Sequence, residues 1–69
     1  MNRKAFEIQA GNTVLVEYGV PDNYVPFKVR AVYATESKVV LTAESKVGNE
    51  TFVLRPEEEL LVLPRVSST

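Results

Sequence analysis

The sequence predicts an all-β fold: a small five-stranded antiparallel barrel with little helix. Three observations predict it. Apolar residues recur at alternate positions, as Val14, Val16 and Tyr18, then Phe27, Val29, Ala31 and Tyr33, then Val39, Leu41 and Ala43, the period that puts one row on one side of a pleated strand. Turn formers separate these runs at short intervals, at Gly11-Asn12, at residues 19–23 and at Gly48-Asn49. Finally, near-full closure would remove the edges that an open sheet of so short a chain would leave.

Along the chain, residues 1–10 carry Arg3 and Lys4, then Phe6 and Ile8. A short strand and one or two helical turns are both compatible with that spacing, and either would fold Phe6 and Ile8 onto the barrel. The first strand is expected at residues 13–18. The loop at 19–23 is dense in turn formers, with Pro21 fixing its own φ. A long second strand covers 24–34, with Pro26 marking an edge or the strand's start because it cannot donate to a ladder. A strand this long is expected to bend and serve two neighbours. The third strand, 38–44, follows a break at Thr35-Glu36-Ser37-Lys38 that lacks Gly and Pro. The fourth, 50–55, follows Gly48-Asn49, which supplies hairpin chemistry.

Pro56 stops that strand, and the adjacent Glu57, Glu58 and Glu59 cannot share a buried environment, so a tight exposed turn or a single helical turn is expected. Leu60-Leu61-Val62-Leu63 then forms a fifth strand at 59–63 that is apolar on both faces, ended by Pro64. The chain reads as one domain over 1–69, with the barrel at about 12–64 and a loose tail at 65–69.

The totals bound what this domain can do. A chain of 69 residues buries only about 60% of its unfolded surface and needs help to be stable. With no cysteine and no histidine, disulfides and the usual zinc ligands are excluded, which leaves oligomerisation. The doubly apolar strand points the same way, since a neighbouring subunit could cover its second face. A net charge of −1 gives no overall attraction to nucleic acid or anionic membrane. No apolar run approaches a membrane span, and a soluble, cytoplasmic protein is expected.

No catalytic constellation is present: triads lack a base or nucleophile without His or Cys. No glycine sits in a phosphate-cradling motif, and the run Glu57 to Glu59 reads as a solvated turn. The expectation is a non-enzyme without cofactor or metal. Lys28 and Arg30 alternate on one strand face beside Tyr24 and Val32, which suits either a solvated outer face or contact with single-stranded nucleic acid. Tyr33 is the best single candidate for a stacking ring, although its parity with Phe27 and Val29 fits core packing equally.

These residues resemble the Sm-like family, which includes the Sm and LSm proteins and the bacterial RNA chaperone Hfq. The likeness spans residues 13–65 and is carried by Val14-Leu15-Val16-Glu17-Tyr18-Gly19, Phe27-Lys28-Val29-Arg30-Ala31-Val32, Val39-Val40-Leu41, Phe52-Val53-Leu54-Arg55 and Leu60-Leu61-Val62-Leu63-Pro64. The chain would be a divergent member with the strongly bent Sm-like barrel; an SH3-like barrel with other connections would give a similar string. Where the family has aspartate this chain has Tyr33 or Ala34, and where it has asparagine this chain has Ser37 or Lys38. In the second motif Leu54 and Arg55 fit, and Pro56 stands for the glycine; Phe27 occupies a further glycine position. The resemblance implies a homo-oligomeric ring closed by pairing the fourth strand of one subunit with the fifth of the next. Phe52, Val53, Leu54, Leu60, Leu61, Val62 and Leu63 would form that interface. It also implies binding of short single-stranded RNA, with Tyr33, Ser37, Lys38, Leu54 and Arg55 lining the site. The competing expectation is a structural or protein-interaction module, an accessory subunit of a larger assembly that binds no nucleic acid.

Overall fold

The computed structural model describes residues 2–63; the expected tail at 65–69 and the stop at Pro64 lie outside the described residues. Its elements are β1 (Asn2–Lys4), a 3-10 turn (Ala5–Glu7), β2 (Thr13–Glu17), β3 (Tyr24–Ala34), β4 (Val39–Ser45), β5 (Gly48–Leu54) and β6 (Glu59–Leu63). All-β is therefore correct. Among the described residues the strand count is six rather than five, in one open antiparallel sheet ordered β1-β6-β2-β3-β4-β5.

The extra strand is β1, where Asn2, Arg3 and Lys4 pair with Leu61, Leu60 and Glu59. The N-terminal segment thus holds both of the conformations left open for it, a strand and then a helical turn. Backbone bonds from Ala5 N to Glu58 O (2.7 Å) and from Phe6 N to Pro56 O (3.2 Å) continue its attachment to the β5–β6 turn. Of the two residues expected on the core, Ile8 is buried, but Phe6 is 57% exposed. Ala5 takes the interior position instead, because the 3-10 turn rotates Phe6 outward.

β3 serves two neighbours: its residues 24–28 pair with β2 and its residues 28–34 with β4. Pro26 lies in the first half, opposite Leu15. The bonds of Val29 to Gly11 and Asn12 and of Tyr18 to Asn23 assign Val25 and Phe27 to the β2 ladder. The missing N–H of Pro26 therefore faces the side that β4 does not reach, an edge position.

A bulge interrupts the β3–β4 ladder. Val29 pairs with Ala43, but Ala31 pairs with Thr42, so Arg30 is an extra residue on β3. One inserted residue reverses the parity of everything after it. The row Val25, Phe27 and Val29 points into the core, yet Val32 continues that row opposite the buried Leu41, while Ala31 is exposed and Tyr33 is 64% exposed. The expected single row from Phe27 to Tyr33 is thus broken at Arg30.

The buried set is Ala5, Ile8, Val14, Val25, Phe27, Val29, Val39, Leu41, Ala43 and Val62, with Val16, Tyr18, Val32, Phe52, Leu54 and Leu60 packed against it. Its strand residues share one face of the sheet, and Ala5 and Ile8 of the N-terminal segment join the cluster there. The face curves toward itself: Phe27 of β3 meets Phe52 of β5 edge-on at 5.2 Å between ring centroids, with β4 between the two strands. Tyr18, next to β2, packs its ring on Phe27 at 5.7 Å, and its hydroxyl donates to Glu50 Oε2 on β5 at 2.7 Å. In a flat sheet the strands β2 and β5, three steps apart, would be separated by about 14 Å.

Candidate functional site

The five residues expected to line an RNA site gather at one end of the β3-β4-β5 half. Tyr33 pairs with Val40, and Val39 pairs with Leu54, so Lys38 and Arg55 stand one position beyond a shared pair. Ser37 sits in the turn between β3 and β4. Of the five, Tyr33, Ser37, Lys38 and Arg55 are exposed. Leu54 is half-buried and packs against the core.

The turn expected at Thr35-Glu36-Ser37-Lys38, which has neither Gly nor Pro, is organised by Thr35. Its Oγ1 accepts from the backbone N–H groups of Ser37 (3.3 Å) and Lys38 (3.2 Å), and its own N–H donates to Lys38 O at 2.8 Å. A hydroxyl residue opening a tight turn is the signal that could have found it.

On the outer face, one row crosses three strands: Tyr33 on β3, Val40 on β4 and Val53 on β5. Tyr33 and Val53 are about equally exposed, and Val40 is half-buried. The next row is small, with Ala31, Thr42 and Thr51, and beyond it lies the exposed ion pair Arg30–Glu44 at 3.1 Å. Among the described residues no ion pair engages Lys38 or Arg55, and no group of three or more carboxylates could hold a metal ion. The cations nevertheless have acidic neighbours in sequence, Glu36 before Lys38 and Glu57, Glu58 and Glu59 after Arg55. The 55–58 turn is tight, as expected, closed by Glu58 N to Arg55 O at 3.1 Å.

The residues expected at a subunit interface divide between two strands in different situations. In β6, Leu60 and Val62 turn to the core, while Leu61, 39% exposed, and the half-buried Leu63 lie on the opposite face in register with Leu15 and Thr13. β6 has β2 on one side, and β1 occupies the other side over residues 59–61. Among the described residues, β5 has a neighbour on one side only. The Thr35 N to Lys38 O bond directs residues 38, 40 and 42 of the β4 strand line toward β3, so residues 39, 41 and 43 bond to β5. Their partners are Leu54, Phe52 and Glu50. The backbone groups of Asn49, Thr51 and Val53 therefore point to the open edge.

Glu50 turns inward, where it accepts the Tyr18 hydroxyl bond. That bond, the negative charge of Glu50 and partial burial, in that order, raise the Tyr18 hydroxyl above the usual tyrosine value. Among the described residues no helix is long and apolar enough to cross a membrane. Compared with known protein families, with curated proteins and with solved structures, the chain matches none, and nothing in those comparisons identifies a Sm-like family.

Proposed function

We propose that this chain is a non-enzymatic protein-interaction module, a bent Sm-like barrel in design, that assembles with copies of itself through its β5 side. The single observation that carries the reading is the open β5 edge. β5 is a seven-residue edge strand with the sequence GNETFVL; it has no Lys, no Pro and no bulge, and its one charge, Glu50, is turned inward and held by the Tyr18 hydroxyl. The exposed Val53 side chain borders it. Barrel closure is supported by the Tyr18–Glu50 bond across three strand steps and by the one-sided core.

The head-to-tail ring that the Sm-like resemblance implies would need the outer edge of β6 as well, and β1 lies along that edge over residues 59–61. Sedimentation equilibrium tests the assembly. The wild type should run above the 7.7 kDa of one chain, and Val53→Lys, which places a charge at the edge, should run as a monomer with an unchanged circular dichroism spectrum. A wild-type monomer at every concentration overturns the reading.

A second reading, binding of short single-stranded RNA, is favoured by one observation. The bulge at Arg30 turns the Tyr33 ring outward, at the end of the sheet that carries Lys38 and Arg55. The carboxylates at positions 36 and 57–59 oppose phosphate there. Fluorescence anisotropy with short U-rich and A-rich RNAs at two salt concentrations decides it. On this reading Tyr33→Ala and Arg55→Ala each weaken binding by about 1–3 kcal/mol.

A further inference from the structure

We infer that two copies of the chain join β5 to β5, antiparallel about a two-fold axis that passes between their Thr51 residues, to make one continuous sheet. This inference rests on the proposed assembly through the β5 side and names its geometry. The groups that point to the open edge belong to Asn49, Thr51 and Val53. Antiparallel pairing centred on Thr51 sets that residue opposite its counterpart and sets Asn49 opposite Val53 of the second copy. Every outward donor and acceptor of the strand then finds a complement. A two-fold contact needs only this one surface, because the same patch serves both copies.

Shifting the axis toward Val53 would call on Arg55, whose N–H faces Glu58 Oε1 at 3.4 Å and whose carbonyl accepts from Glu58 N. The turn thus caps the strand and fixes the register. Pairing β5 with β6 of another copy would compete with β1 for residues 59–61. The directly facing outer residues are Asn, Thr and Val, so no charges oppose one another there; on the inner face Glu50 stands opposite Phe52 of the second copy and diagonal to its Glu50, each carboxylate being held by the Tyr18 hydroxyl of its own chain.

The chain has no cysteine, so single-cysteine variants report the geometry directly. Residues opposite one another in a hydrogen-bonded antiparallel pair have Cα atoms about 5.5 Å apart, within the span of a disulfide. Under oxidised glutathione, Thr51→Cys should cross-link to a dimer, while Thr42→Cys, exposed one strand inward on β4, should stay largely uncross-linked. Thr51→Pro removes an N–H that only the second copy would use, and it should run as a monomer while keeping its circular dichroism spectrum. If the wild type is assembled but Thr51→Pro remains so, and Thr51→Cys cross-links no faster than Thr42→Cys, the two-fold strand pairing is wrong and assembly by another geometry stands. A monomeric wild type overturns both.

Discussion

The Tyr18 hydroxyl donates to Glu50 Oε2 at 2.7 Å, tying the end of β2 to β5 across the inner face. The two residues are 32 positions apart in sequence, and their strands are not neighbours in the sheet. The bond supports the bend of the sheet and removes the one carboxylate of β5 from the edge. Two consequences follow, one for titration and one for assembly.

Because the Tyr18 value is raised, the folded state holds this proton more tightly than the unfolded chain does. The resulting stabilisation is complete below the ordinary tyrosine value of about 10 and is lost as pH rises through the higher folded value. An alkaline titration followed by tyrosinate absorbance should show a late component. Glu50→Gln should move that component down, because it removes the charge and weakens the acceptor. A late component unchanged in Glu50→Gln would assign it to another cause.

The bulge predicts opposite costs for two aromatic residues that share a parity in the sequence. Phe27 is fully buried and Tyr33 is not. Phe27→Ala should cost about 3–5 kcal/mol, and Tyr33→Ala should stay within about 0.5 kcal/mol. Urea unfolding of the two variants provides the measurement. A large loss for Tyr33→Ala would place its ring in the core and remove the bulge from the account.

Removing residues 1–4 should change how the chain assembles. β1 covers β6 over residues 59–61, so the truncated chain offers strand edges on both sides of its sheet. Head-to-tail contacts then become available, and such contacts continue into rings or filaments. Light scattering should report species larger than those of the full chain. Equal sizes for both chains would mean that β1 does not govern the edge.

β2, β3 and β4 were legible because side-chain alternation specifies a strand wherever one face is buried, β5 because hairpin chemistry precedes it, and β6 as a short apolar run between the glutamates and Pro64. β1 was not, since Asn2, Arg3 and Lys4 are all exposed and only pairing with β6 holds them extended. The bulge was illegible for a different reason. Phe27, Val29, Ala31 and Tyr33 alternate without a break, and only the pairing with β4 shows that Arg30 is inserted. The hairpin before β5 shifts slightly from expectation: its turn is Lys46-Val47, and Gly48, at φ 126°, opens the strand. That positive φ is why the glycine is there. Among the candidate site residues, Tyr33 shares its sequence parity with the buried Phe27 and Val29, yet its ring is exposed. Its exposure comes from the bulge, so the sequence could name the residue but not its face.

The most direct test of the assembly is hydrogen exchange of the β5 amides as protein concentration is raised. The amides of Glu50 and Phe52 bond to β4 and should be protected at every concentration, which makes them an internal control. Those of Asn49, Thr51 and Val53 should exchange quickly in dilute protein and gain protection together as copies pair. If these three stay unprotected at concentrations where sedimentation shows an assembled species, the β5 edge is not the surface that joins the copies.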